Sequence, residues 1–162
     1  MTLTVENLKR FCSDEDETRE YLRSPWTRDG FTWASNGKIL VRAPALPEVE
    51  STGGPNTTRV WETWDTEPDQ WFPVPECAMP PPMKCTWCDG TGKDPSDRRF
   101  KCDECKGTKI ETDWKSHLLI GGVAYAKIYL ALIQGWEIAP NGLNAAWIRK
   151  GDCLGLLMPM CV

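Results

Sequence analysis

Histidine is almost absent from this chain of 162 residues, which contains only His117. The sequence also lacks a Gly-rich phosphate-binding loop, a His-Glu-x-x-His motif and the Ser-His-Asp order of common hydrolases. General acid–base catalysis uses histidine more often than any other side chain, so the usual catalytic base is nearly missing. The sequence therefore predicts that this protein is not an enzyme, and His117 is interpreted as an ordinary surface or partly buried residue.

Long hydrophobic runs are missing as well. The longest apolar stretches fall far short of the roughly 20 residues that a membrane helix requires. Met1 is followed by a polar helical pattern and not by a basic segment with an apolar core, so no signal peptide is predicted. Because 41% of the residues are hydrophobic, the chain is expected to fold into a globule. Together these features predict a soluble cytoplasmic protein with no membrane contact.

Positive charge is also scarce, because 19 Lys and Arg residues stand against 23 Asp and Glu residues, giving a formal net charge of -4. Such a surface as a whole repels phosphate backbones, so any contact with nucleic acid requires a local basic face. Arg98, Arg99 and Lys101 form one local basic cluster. The alternative interpretation of this cluster is a solvated loop.

Cysteine, in contrast, is abundant, and four of the eight cysteines form two Cys-x2-Cys pairs with 13 residues between them. Two such pairs can close a tetrahedral site of four thiolates around one Zn²⁺ ion, and glycines after each pair allow the chain reversal that the site needs. The site leaves no open coordination position, so the predicted zinc is structural. The alternative is two reduced or disulfide-linked pairs without metal. The predicted ligands are Cys85, Cys88, Cys102 and Cys105.

The chain divides by composition into four segments: residues 1–47, a connector at 48–83, the cysteine module at 84–109, and residues 110–162. The connector is rich in Pro, Gly and Thr and contains Trp61, Trp64 and Trp71. Aromatic residues at this density predict packing against a neighbouring surface, with an exposed partner-binding patch as the alternative. The four cysteines outside the module are interpreted as reduced packing residues.

The two flanking segments have mixed helix and strand patterns. In the first, Thr4 is predicted to cap a helix that buries Val5, Leu8, Phe11 and Cys12. The acidic run at 13–17 ends this helix. Two extended segments at 19–26 and 31–42 follow, with turns at Asp29-Gly30 and Asn36-Gly37. In the last segment, a strand at 117–120 precedes a helix at 125–134 and three strands near 136–139, 145–149 and 153–160. The last segment is thus a β-α-β-β-β unit, and the first resembles the same unit without a clear first strand.

Two blocks of sequence resemble the bacterial DNA polymerase sliding clamps. An acidic segment ending in Thr18-Arg19 precedes Ala34-Ser35-Asn36-Gly37, which takes the place of the clamps' Ala-Thr-Asp-Gly turn. The C-terminal Leu156-Leu157-Met158-Pro159-Met160 is similar to the closing clamp strand. The resemblance covers the flanking segments and neither the connector nor the module. It implies an α+β fold, a single DNA-clamp-like domain of two β-α-β-β-β units with an inserted zinc-binding module, and a phage or prophage origin.

The clamp resemblance also implies that both helices turn toward a DNA channel. Lys9, Arg10 and Lys127 lie on these helices and are candidate nucleic-acid contacts, as are Arg98 and Arg99 in the module. Solvated helix faces are the alternative. One such domain per chain closes a ring only as a homo-oligomer.

The repeated Cys-x2-Cys-x-Gly-x-Gly pattern resembles the cysteine-rich modules of DnaJ-type co-chaperones, although Lys109 replaces the last glycine and one zinc site is present where that family has two. This resemblance implies binding of a protein partner. The leading hypothesis is a non-enzymatic zinc-binding accessory protein that acts in phage replication or DNA transactions through a replication protein or nucleic acid. The alternative is a host-directed inhibitor or chaperone-like adaptor that binds protein and no DNA.

Overall fold

The computed structural model describes residues 3–13, 19–50, 54–57, 60–61 and 68–161. Two α-helices, one 3-10 helix at Glu20–Leu22 and eleven strands have defined bounds in these residues. The helices are α1 (Val5–Lys9) and α2 (Lys127–Leu132). The strands are β1 (Trp26–Arg28), β2 (Phe31–Ser35), β3 (Ile39–Pro44), β4 (Phe72–Pro73), β5 (Met83–Lys84), β6 (Ile110–Glu111), β7 (His117–Ile120), β8 (Val123–Ala126), β9 (Glu137–Asn141), β10 (Asn144–Lys150) and β11 (Cys153–Leu157). Within these described ranges, no helix is both long enough and apolar enough to cross a membrane.

Seven of the strands form one antiparallel sheet in the order β1-β2-β3-β11-β10-β9-β4. Each flanking segment supplies a three-stranded meander, and the last strands of the two meanders, β3 and β11, pair at the centre. The connector adds β4 at the edge, where Phe72 lies opposite Ile138. The protein is therefore a mixed α and β structure in which the sheet dominates, as the sequence predicts at this level.

Three local sequence signals in the first half correspond to the predicted helix start and turns. Thr4 caps α1, because its hydroxyl accepts a hydrogen bond from the Asn7 backbone N–H while the Asn7 side chain accepts one from the Thr4 N–H. Asp29 and Gly30 have φ values of 52° and 79°, which suit the two-residue turn that joins β1 to β2. Asn36 and Gly37 connect β2 to β3, and the Asn36 side chain accepts from two backbone N–H groups in that turn.

The first face of the sheet holds the main core. Both helices and the β7–β8 hairpin contribute buried side chains to this core, so all three pack on the same side of the sheet. Of the predicted helix stripe, Leu8 and Phe11 are buried, whereas Val5 and Cys12 are half-buried. The largest fully buried members of this core are Leu8, Ile39, Val41, Tyr125, Leu130, Ile133, Ile138, Ile148 and Leu157.

The second face of the sheet holds a cluster of tryptophans. Trp33 on β2 and Trp147 on β10 each contact Trp61 of the connector edge to face, with ring centroids 5.6 and 5.2 Å apart. The Arg42 guanidinium lies 4.4 Å from the centroid of the Trp61 ring, and that of Arg149 lies 4.0 Å from the Trp71 ring. The packing predicted for Trp61 and Trp71 is thus confirmed, while Trp64 and the acidic residues 14–17 lie outside the described residues.

Two local predictions are wrong. The helix predicted at 125–134 begins only at Lys127, because residues 123–126 form β8 and pair with β7 across Gly121-Gly122. Both glycines have positive φ, as a two-residue hairpin turn requires. The extended segment predicted at 19–26 contains the 3-10 helix at Glu20–Leu22, and its strand begins only at Trp26.

Tyr125→Phe is expected to stabilise the protein. Tyr125 is fully buried in the main core, and its hydroxyl has no hydrogen-bond partner among the described residues. A buried hydroxyl without a partner costs about 1–3 kcal/mol, and phenylalanine keeps the ring contacts without that cost. The thermal midpoint measured by circular dichroism should therefore rise. Tyr129→Phe is the matched control, because Tyr129 lines an open cavity beside Trp114 and should show no gain. A fall in the Tyr125→Phe midpoint would contradict this account.

Candidate metal centre

A short two-stranded stem carries the cysteine module. In this stem, β5 pairs with β6, so that Met83 lies opposite Glu111. The Glu111 carboxylate accepts hydrogen bonds from both the backbone N–H and the hydroxyl of Thr86, at 3.3 and 3.2 Å. The Cys85 N–H donates to the Lys109 carbonyl at 3.0 Å. The first cysteine loop is therefore fixed directly to the stem.

The module contains the same local structure twice. The pattern Lys-Cys-x-x-Cys-x-Gly-Thr occurs at residues 84–91 and again at 101–108. In both copies the threonine backbone N–H and hydroxyl donate to the carbonyl of the second cysteine, Thr91 to Cys88 and Thr108 to Cys105. In both copies the two residues after that cysteine have positive φ. The repeated bonding makes the two cysteine loops structurally equivalent.

Glycine is required where the two loops meet. The Gly92 N–H donates to Cys88 Sγ at 3.3 Å, and a Cβ at Gly92 would lie 2.8 Å from the Gly107 carbonyl oxygen. The Gly92 carbonyl also accepts from the Cys102 N–H at 3.1 Å. Any side chain at this position would push the two loops apart and separate their cysteines.

The four predicted ligands come together at the centre of the module. The Sγ atoms of Cys85 and Cys102 are 3.9 Å apart and those of Cys88 and Cys105 are 3.7 Å apart. All four sulfur atoms lie within 4.8 Å of one another and are buried. Sulfurs arranged tetrahedrally at 2.3 Å around Zn²⁺ are about 3.8 Å apart, so the spacing suits one such ion. Disulfide-linked pairs are excluded, since a disulfide bond is about 2.05 Å long.

The pKa values of Cys85, Cys88 and Cys102 are shifted in different directions within the cluster. Burial acts to raise the pKa of Cys88, but the Gly92 N–H and the neighbouring thiols outweigh burial and lower it to about 6. For Cys85 the Cys88 N–H favours the thiolate, yet burial and the adjacent thiols raise the pKa to about 12. Burial also raises the pKa of Cys102. Cys88 therefore forms a thiolate most readily of these three, whereas ionisation of Cys85 and Cys102 would be favoured by a nearby cation such as a bound metal ion.

The remaining cysteines lie outside this cluster. Cys153 is buried, Cys12 and Cys77 are half-buried, and Cys161 is exposed. None of these four is disulfide-bonded in the described structure. Cys12, Cys77 and Cys153 pack in or against the main core, as predicted, whereas the packing prediction is wrong for the exposed Cys161.

The predicted nucleic-acid contacts fall into two separate groups. Lys9 is exposed at the end of α1, and Arg10 is the exposed C-cap residue that follows it. Lys127 is half-buried at the start of α2, where it helps to keep the pKa of the Asp113 carboxyl low, after the larger effect of hydrogen bonds from Ser116. In the module Arg98 is exposed, while Arg99 forms an ion pair with Asp97 at 2.7 Å. Contact of these residues with DNA stays a prediction.

Sequence reasoning missed two exposed aromatic side chains of the module, Trp87 and Phe100. The available signal was a tryptophan between two metal ligands and a phenylalanine in a loop of charged residues.

No family model, curated protein or solved structure matches this chain. We therefore infer the function of this chain from the geometry of this centre and from the chemistry of its surface.

Proposed function

We propose that this chain is a non-enzymatic accessory protein in which one structural zinc ion, bound by the four cysteines of the cluster, holds a recognition module on an α+β domain. The observation that carries this proposal is the close spacing of the four buried sulfur atoms, which suits tetrahedral coordination of one ion. A four-thiolate site has no open position for water, so the ion would maintain structure and would not take part in hydrolysis.

Burial within the module also supports a structural metal. Across residues 84–109, all of which are described, the buried side chains are the four cysteines, and Gly92 is buried with them. These residues contain no cluster of buried aliphatic or aromatic side chains. A module of this size without an apolar core depends on metal binding for its folding energy.

We place the action of this module in phage replication or DNA transactions in a host cytoplasm, through a replication protein or nucleic acid. The symmetry of the sheet supports a clamp-like domain: each flanking segment supplies one helix and one three-stranded meander, both helices pack on one face, and the meanders join through their last strands. Two related units fused in one domain would produce this arrangement. The resemblance of Ala34-Ser35-Asn36-Gly37 to the clamp turn agrees with the β2–β3 hairpin at that position.

A second candidate is a host-directed inhibitor or chaperone-like adaptor that binds protein and no DNA. The observation that favours it is the exposure of Trp87, Phe100 and Ile110, since exposed apolar side chains commonly contact proteins. Trp61 and Trp71 do not support this second candidate, because both side chains pack against the sheet.

Native mass spectrometry of the purified protein, alone and with DNA, tests the proposal. We expect one zinc ion per chain and a complex with DNA. A matched sample treated with a chelator should lose the zinc and the complex together. A chain that contains no metal as purified, and takes up none on addition of Zn²⁺, would contradict the proposed centre. Zinc-loaded protein that does not bind DNA, and that remains bound to another protein, would favour the second candidate.

A further inference from the structure

We propose that the module binds single-stranded nucleic acid, with Trp87 and Phe100 as base-stacking side chains and its unpaired lysines and arginine as phosphate contacts. This inference rests on the zinc-held module of the proposed function. It adds the chemical class of the ligand and the residues that contact it.

The two aromatic rings are exposed on fixed backbone. Trp87 is 60% exposed and lies between Cys85 and Cys88, so its position is set by two ligands of the cluster. Phe100 is 64% exposed, and its backbone exchanges hydrogen bonds with Asp94 and Asp97 at 3.1 and 3.0 Å. Aromatic side chains held in this way present flat surfaces to unpaired bases, on which each base stacks whatever its sequence.

Charge is distributed unevenly between the module and the rest of the chain. Residues 84–109 contain seven basic and five acidic side chains, which leaves 12 basic and 18 acidic side chains elsewhere. Four thiolates around one Zn²⁺ ion would add a charge of -2 on buried atoms, which cancels the excess of two basic side chains and leaves the module close to neutral. The module is therefore close to neutral on an otherwise acidic protein and presents its basic side chains on its exposed surface, so a phosphate backbone would be repelled least there.

Ion pairing within the module leaves most of its cations available. Lys84 pairs with Asp89 at 2.5 Å and Arg99 with Asp97 at 2.7 Å. The Asp94 carboxylate is occupied by hydrogen bonds from Ser96 and from the Asp97 N–H. The cations with no ion pair in the described structure are Lys93, Arg98, Lys101, Lys106 and Lys109.

Three lysine side chains lie against glycines of the two loops. The side-chain stems of Lys84, Lys101 and Lys109 lie against Gly90, Gly107 and Gly92, respectively, as the short distances to a Cβ built at each glycine show. Because the glycines have no side chains, the lysine stems can lie directly against the backbone of the loops. Lys84 and Lys101 each precede the first cysteine of a loop, so both loops carry a basic side chain.

The shape of the module favours single strands over a duplex. Residues 84–109 contain turns, one isolated β-bridge and the end of the stem, and no helix. An α-helix or a two-stranded ribbon is the element that usually enters the major groove, and the two-residue strands of this stem are too short for that role. In a duplex the bases are also stacked on one another and cannot stack on Trp87 or Phe100. An unpaired strand meets both requirements.

Fluorescence anisotropy with labelled 15-nucleotide probes tests this inference on the full-length, zinc-loaded chain. The probes are oligothymidylate, oligouridylate and a DNA duplex of the same length. We expect both single strands to bind more tightly than the duplex, with a logarithmic salt slope of about -0.7 per phosphate contacted. Trp87→Ala and Phe100→Ala should each weaken binding about tenfold. Comparison of the two single strands shows whether DNA or RNA is the better ligand.

Trp114→Ala is the matched control, because Trp114 is 55% exposed and lies outside the module. It should keep the affinity of the original protein. Lys93→Ala and Lys109→Ala should each reduce the salt slope, whereas Lys38→Ala, outside the module, should not.

Zinc content measured on each variant separates this inference from the proposed function. Zinc-loaded protein that binds none of the single strands, or that binds the duplex equally well, overturns the nucleic-acid proposal and leaves the metal centre intact. Unchanged affinity in the Trp87→Ala, Phe100→Ala double variant overturns it as well. Failure of the original chain to bind zinc overturns the proposed function on which the inference rests.

Discussion

Replacement of Cys88 by serine is expected to abolish zinc binding and unfold the module while the seven-stranded sheet stays folded. Cys88 supplies one of four sulfur atoms and is among the few buried side chains of residues 84–109. Binding of structural zinc contributes roughly 10–16 kcal/mol in small zinc-finger peptides, far more than the remaining turns can replace. The cysteine cluster shares no buried residue with the main core, so the sheet should not depend on it.

Zinc content by mass spectrometry and limited proteolysis by trypsin together measure this effect. The module contains seven Lys and Arg residues, so its unfolding should give rapid cleavage within residues 84–109. Cys161→Ser is the matched control, because Cys161 is exposed and lies outside the cluster. It should retain zinc and resist cleavage. One zinc ion per chain in the Cys88→Ser protein would show that the four-cysteine assignment is wrong.

Trp147→Ala is expected to destabilise the domain by about 3–5 kcal/mol, the range for removal of a large buried aromatic side chain. Trp147 is 5% exposed on β10 and contacts Trp61 of the connector. Trp61 in turn contacts Trp33 and lies under the Arg42 guanidinium. Alanine at 147 would therefore leave a cavity and remove the support for the connector on the second face of the sheet.

Urea unfolding monitored by circular dichroism provides the measurement for Trp147→Ala. Trp87→Ala is the control, since a solvent-exposed tryptophan should change stability by no more than about 0.5 kcal/mol. Zinc content should be the same in both variants, because neither removes a ligand. An equal loss of stability in the two proteins would mean that the tryptophan cluster does not hold the domain together.

Local signals in the sequence predicted the local structure well. Thr4 with Asn7 fixed the start of α1, and the Asp29-Gly30 and Asn36-Gly37 turns fixed two hairpins, because each conformation depends on residues that are adjacent in the chain. The cysteine cluster was predicted for the same reason. Each Cys-x2-Cys pair is followed by the glycine that its loop requires. Two short segments of sequence are therefore sufficient to predict all four ligands.

The elements that the sequence did not predict depend on contacts that the spacing of apolar residues does not reveal. Residues 125–134 have apolar spacing typical of a helix, but Tyr125 and Ala126 pair with Leu118 and His117 across Gly121-Gly122. The Gly-Gly turn signal was present, and the overlapping helical pattern concealed it. Pairing of β3 with β11 joins residues more than 100 positions apart, and no local pattern specifies such a partner. Exposure of Trp87 and Phe100 likewise becomes visible only when the loops around them are in place.

The stem of the module has a consequence for how this protein could have arisen. Met83 and Glu111 are directly paired, so the chain leaves the domain and returns to it at points about 5 Å apart. A segment with such closely spaced ends can be inserted into, or excised from, a hairpin loop without moving the strands on either side. A single genetic insertion between β4 and β7 would therefore be sufficient to add the module. The same property makes residues 83–111 a transferable cassette for grafting onto unrelated scaffolds.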